Sequence, residues 1–128
     1  MRNFKLNITT IPTYLDGIFE LFAIIQDESS RYPKESIISL NKSMNYKSIS
    51  ITDKLKYELN QRVENELIKI RIPQTKEIGS LNVLKIEEKY FKVYNAYHFI
   101  NSDGFLETDL TLEYYPNAKV VENNVEQN

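Results

Sequence analysis

The chain has 128 residues, of which 41% are apolar and 27% charged, a composition that fits one folded domain and excludes both a second core and global disorder. It contains no cysteine, which excludes disulfide frameworks, thiol catalysis and thiolate metal sites. With 16 basic and 18 acidic residues the net charge is only −2, so charge supplies no overall drive towards nucleic acid.

Phe4, Leu6 and Ile8 alternate with Lys5 and Asn7 until Pro12 stops the pattern, as in a short strand or arm. Charges interrupt this start, which lacks the unbroken apolar stretch of a secretory signal. After the turn dipeptide Asp16-Gly17, residues 18–25 are almost wholly apolar and rich in β-branched side chains. They predict a strand buried on both faces, and the run falls far short of the roughly 20 residues of a membrane-spanning helix.

Residues 26–53 are polar and read as a long loop, of the kind that serves as a lid or a binding loop. Within it, residues 33–40 open on Pro33 and offer about two turns of helix. Residues 55–67 fit two templates. Leu55, Leu59, Val63 and Leu67 recur at helical spacing, while the odd positions hold every apolar residue and the even positions are all polar. The period of two predicts a long strand. Ile68, Ile70 and Ile72 then move the apolar set to even positions, which calls for a bulge near Leu67.

Residues 81–86 form the next strand, Glu87-Glu88-Lys89 a turn, and residues 90–100 a long aromatic strand. Asn101-Ser102-Asp103-Gly104 turns the chain again into a strand over residues 105–115, with Thr108, Leu110, Leu112 and Tyr114 on one side. Beyond Pro116 the chain is polar. The fold expected is mainly β: residues 1–116 as one small antiparallel β-barrel or sandwich, with a long loop over about 26–53 after an early strand. Extended terminal arms complete it, residues 117–128 being an exposed tail.

His98 is the single histidine, so no catalytic triad and no multi-histidine metal site can be assembled. It reads as a half-buried strand residue hydrogen-bonded to its surroundings. The carboxylate pairs Asp27-Glu28, Glu87-Glu88 and Glu107 with Asp109 read as solvated neighbours rather than acid–base pairs. Three scattered glycines form no phosphate loop. Lys54, Lys56, Arg62, Lys69 and Arg71 are interleaved with Glu58, Glu64 and Glu66, a mixed pattern that suits a subunit face better than a nucleic-acid groove. The expectation is a protein that is not an enzyme, with no catalytic residue, no metal and no cofactor.

Several strings carry a resemblance: Leu67-Ile68-Lys69-Ile70-Arg71-Ile72-Pro73, Lys76-Glu77-Ile78, Val83-Leu84-Lys85-Ile86, and Lys89-Tyr90-Phe91-Lys92-Val93-Tyr94-Asn95-Ala96. In this order they resemble the head-closure (head-tail connector) proteins of long-tailed bacteriophages and prophages, over roughly the C-terminal half, with residues 21–26 similar to the family's early strand. The resemblance implies a homo-oligomeric ring, twelvefold in that family, between the portal and adaptor on one side and the tail-terminator protein on the other. It implies a place in the virion neck, after synthesis in the bacterial host cytoplasm, and no membrane partner. The long loop would face the DNA channel, with Arg31, Lys34, Lys42 and Lys47 near packaged DNA in non-specific contact. Arg62, Arg71, Tyr114 and Tyr115 are the candidate subunit-interface residues. The rival expectation is a β-barrel binding module for a peptide, a glycan or single-stranded nucleic acid.

Overall fold

The apolar run after Gly17 forms strand β1 (Gly17–Asp27), and the chain builds six more: β2 (Lys34–Ile49), β3 (Leu67–Pro73), β4 (Asn82–Ile86), β5 (Lys89–Ile100), β6 (Leu106–Tyr114) and β7 (Val120–Val121). The structure is a computed structural model and describes residues 11–27, 34–51 and 66–122, among which there is no helix. Hydrogen-bonded order is β1-β4-β5-β6-β3-β2-β7, and an additional β1–β2 pairing closes the first six strands into an irregular barrel. All pairs are antiparallel except β2–β7, where Ile37 and Ile38 lie beside Val120 and Val121 in parallel.

Alternation fixes which side is inside. Phe19 and Leu21, Ile70 and Ile72, Leu84 and Ile86, Phe91 and Val93, and Leu110 and Leu112 fill the barrel together with Tyr46 and Ile78. A smaller cluster of Phe22, Ile37 and Val83 lies on the opposite face of the same strands, with Ile24, Tyr90, Tyr115 and Ala118 against it. This is why β1 is apolar on both faces. Gly17 is the place where Tyr46 crosses β1: a Cβ there would stand 2.6 Å from the Tyr46 hydroxyl oxygen. Its role is close approach, not the turn that Asp16-Gly17 suggests.

Residues 34–49 correct the largest expectation. They are not part of a loop, and residues 34–40 are not helical: they form the longest strand of the fold, paired with β1 from Asp27↔Lys34 to Gly17↔Tyr46. The strand is hard to read because its apolar residues serve different faces. Ile37 packs outside the barrel, whereas Met44 and Tyr46 pack inside. Most of the remaining side chains are solvated, so neither a period of two nor an apolar run emerges. A register shift at Leu21/Phe22 places Asn41, with φ 57°, in an irregular stretch of β2.

The two hairpins of the C-terminal half form as expected. Glu87 and Glu88 have φ values of 49° and 68° between the paired residues Ile86 and Lys89. This is the backbone of a tight two-residue turn that ordinarily takes Asn or Gly. From Leu67 to Pro73 strand β3 pairs with β6 in unbroken register, and the preceding run that the expected bulge near Leu67 would join lies outside the described residues. A bulge that the sequence did not announce interrupts β5 between Val93 and Asn95. Residues 52–65, which hold most of the expected long strand together with Arg62, lie outside the described residues, as does the N-terminal alternation of Phe4, Leu6 and Ile8. In the tail, Val120 and Val121 are exposed yet pair with β2 as β7, and residues 123–128 lie outside the described residues.

Candidate assembly surface

Outward-facing positions of β3, β5 and β6 build a polar clasp. Arg71 on β3 donates from Nε to Asp109 Oδ1 at 2.7 Å and from Nη2 to Asp109 Oδ2 at 3.0 Å, the planar two-bond geometry that favours arginine. Lys69 Nζ lies 4.0 Å from the same carboxylate. The Phe99 ring covers the guanidinium at 4.9 Å and stacks on Tyr97 at 5.6 Å. One row along, Glu107 is buried and accepts from the Tyr14 hydroxyl and from Asn101 Nδ2, both at 2.8 Å. Burial first, then the bond to Glu107, pushes the Tyr14 hydroxyl up to about 12. The clasp thus ties residues 11–16 across β6. The carboxylates that read as a solvated pair are buried and bonded, and no buried side-chain polar atom among the described residues lacks a partner.

A second set of bonds holds the C-terminal strap. Tyr115 donates to Glu35 at 2.8 Å, and Lys92 Nζ lies 2.8 Å from the same carboxylate oxygen and 4.4 Å from the Tyr115 ring centre. The Lys92 hydrogen bond, then that of Tyr115, holds the Glu35 carboxyl below its ordinary range. Burial followed by the Glu35 bond pushes Tyr115 up to about 12. Beyond it, Ala118 packs on the outer cluster, and the Ile37 N–H donates to the Lys119 carbonyl at 2.9 Å.

The two ends of the barrel differ. At the end of the Glu87-Glu88 turn, a partly open cavity of about 580 Å³ reaches the inner residues Tyr46, Ile70 and Phe91, with Asp16, Lys69 and Lys89 at its rim. Burial first, then the charges of Glu87 and Asp16, raises the Tyr46 hydroxyl. At the other end Ile78 is buried in the core, while the β1–β2 and β5–β6 ribbons run on past the end of β4.

The residues singled out in the sequence fall at separate places. Lys34 opens β2, paired with Asp27 at the far end of its ribbon. Lys42 is exposed and 3.4 Å from Glu77, and Lys47 pairs across the sheet with Arg71. At about 3.3 Å per residue, Lys34 and Lys47 stand roughly 40 Å apart along one strand, so they do not converge within one chain. Arg31 and Arg62 lie outside the described residues. Arg71 and Tyr115 are engaged as above, and Tyr114 packs its ring 5.8 Å from Phe91. His98 is exposed rather than half-buried, with Nδ1 2.7 Å from Thr108 Oγ1. Among the described residues no three metal-ligating side chains come together, and no helix is long and apolar enough to cross a membrane. Sequence reasoning missed Tyr14, Glu35 and Lys92, whose partners lie far along the chain. Neither a family model nor a curated protein matches this chain.

Proposed function

We propose that the protein is a structural subunit of a phage neck, a head-closure connector that joins the portal–adaptor complex to the tail and helps to retain packaged DNA. One observation carries the reading: polar side chains are bonded to one another, while large apolar ones stand in solvent at both barrel ends. Leu15 is 82% and Ile18 64% exposed at the cavity end; Leu81 is 71% and Leu106 54% exposed at the ribbon end. Exposed apolar groups of this kind suit burial against other proteins, and their presence at both ends suits a part stacked between two others. Further support comes from the resemblance to head-closure proteins over the C-terminal half. In this reading copies form a closed ring through heterologous contacts. In this reading Lys34, paired with Asp27 at the distal end of its ribbon, would meet DNA phosphates without reading sequence.

A second reading, a barrel module that binds a peptide, a glycan or single-stranded nucleic acid, is favoured by the open cavity over Tyr46 and Phe91 with Lys69 and Lys89 beside it. Imaging of DNA-filled heads that carry portal and adaptor separates the two. Added protein should form a ring on the portal vertex and allow tails to join. Heads that neither bind it nor gain tails in its presence would contradict the connector.

A further inference from the structure

Strand β5 outruns one of its neighbours. β4 accompanies it only as far as Val83↔Lys92, whereas β5 continues to Ile100 with β6 as its partner. The Asn101 N–H donates to the Phe105 carbonyl at 2.8 Å. Antiparallel ladders alternate between bonded and non-bonded pairs, so this bond assigns Asn95, Tyr97 and Phe99 to the β6 ladder. It turns the N–H and C=O of Ala96, His98 and Ile100 to the opposite side. There, among the described residues, no strand stands beside them.

Among the described residues this edge carries neither charge nor proline. Natural sheet edges are blunted by charge, proline or brevity, yet residues 94–100, Tyr-Asn-Ala-Tyr-His-Phe-Ile, contain no Lys, Arg, Asp, Glu or Pro. Tyr97 is 60% and Ile100 66% exposed along it. Other open stretches are guarded: β1 ends on Asp27, the middle of β2 carries Lys42, and the two residues of β7 lie between Lys119 and Glu122.

We propose that the β5 edge is a self-association site, at which a second copy of this chain adds its own β5 antiparallel about a two-fold axis at His98. That register uses every free backbone group: His98 pairs with its equivalent, and Ala96 of each copy pairs with Ile100 of the other. Tyr97 then stands opposite Phe99 of the other copy. The stacked Tyr97–Phe99 rings of both copies become one aromatic strip, the kind of cross-strand pairing that stabilises sheets. The uncharged edge lets two copies meet without like-charge repulsion, whereas the chain's other edges would bring Asp27, Lys42, Lys119 or Glu122 into the seam. The contact is independent of the neck reading, because a two-fold pairing does not close a ring.

Charge exchange at the axis tests it. Sedimentation of the wild-type chain should give a concentration-dependent equilibrium between 15.1 kDa and twice that mass. His98→Lys and His98→Asp should each remain monomeric, and their equimolar mixture should recover the pair. Wild-type protein that stays monomeric at high concentration, or variants that associate as the wild type does, would overturn the proposal. If the variants fail to fold, amide exchange on the wild type decides: the N–H groups of Ala96, His98 and Ile100 should slow as concentration rises. Rates independent of concentration would refute the pairing.

Discussion

Replacing Asp109 by Asn should destabilise the protein by about 1–3 kcal/mol, because a buried carboxylate is removed from Arg71, whose side chain is still 30% exposed and partly hydrated. Leu110→Ala, at a fully buried site, should cost about 2–5 kcal/mol through lost burial and a cavity. Denaturant titration of both variants checks the order. His98→Gln should change stability little, because its exposed ring loses one bond to Thr108. Alkali gives a further test at this scale. Tyr14 is neutral up to about 12 instead of 10.0 in the folded chain, so its stabilising share is complete below the unfolded value and is lost as pH rises from one to the other. Tyr14→Phe should flatten that part of the stability curve. The inward side chains Leu110 and Leu112 are legible in sequence because alternation announces them. The clasp is not, because Arg71 and Asp109 are 38 positions apart and Tyr14 and Glu107 are 93 apart.

At the scale of elements, the two C-terminal hairpins are readable because each is local: alternating strands flank a turn of a few residues. β2 is not, since its apolar residues are divided between an outer cluster and the barrel interior and its partner β1 carries most of the apolar load. Amide exchange should therefore protect residues 35–38 almost as well as Asn95, Tyr97 and Phe99 of β5, where a loop would exchange freely. The strap is equally invisible to pattern, because Val120 and Val121 are too few to signal a strand. Truncation after Tyr115 should uncover Phe22, Ile37 and Val83 and lower the melting temperature by several degrees. The strap should also loosen at both pH extremes. Glu35 has a lowered carboxyl pKa, so its contribution is present above the ordinary 4.5 and lost as pH falls through the lowered value. Tyr115 loses its contribution as pH rises between 10.0 and about 12. Protection of the Ile37 N–H across pH reads both.

For the whole molecule, composition already argued for one mainly β domain, and pairing of β1 with β2 turns that expectation into a closed, irregular barrel. The ends of the barrel were beyond sequence reasoning, because exposure of Leu15, Ile18, Leu81 and Leu106 follows from closure and not from local pattern. A connector reading makes the lysines separable. Lys34→Glu, at the ribbon's far end, should make filled heads leak DNA, while Lys42→Glu, remote from that end and beside Glu77, should act only on local packing. In the proposed neck this chain joins heads to tails without chemistry of its own. Electron microscopy of lysates from a producing strain deleted for this chain decides the matter: DNA-filled heads and complete tails should lie unjoined, and the added protein should restore whole particles. Whole, infectious particles in the deletion lysate would contradict it.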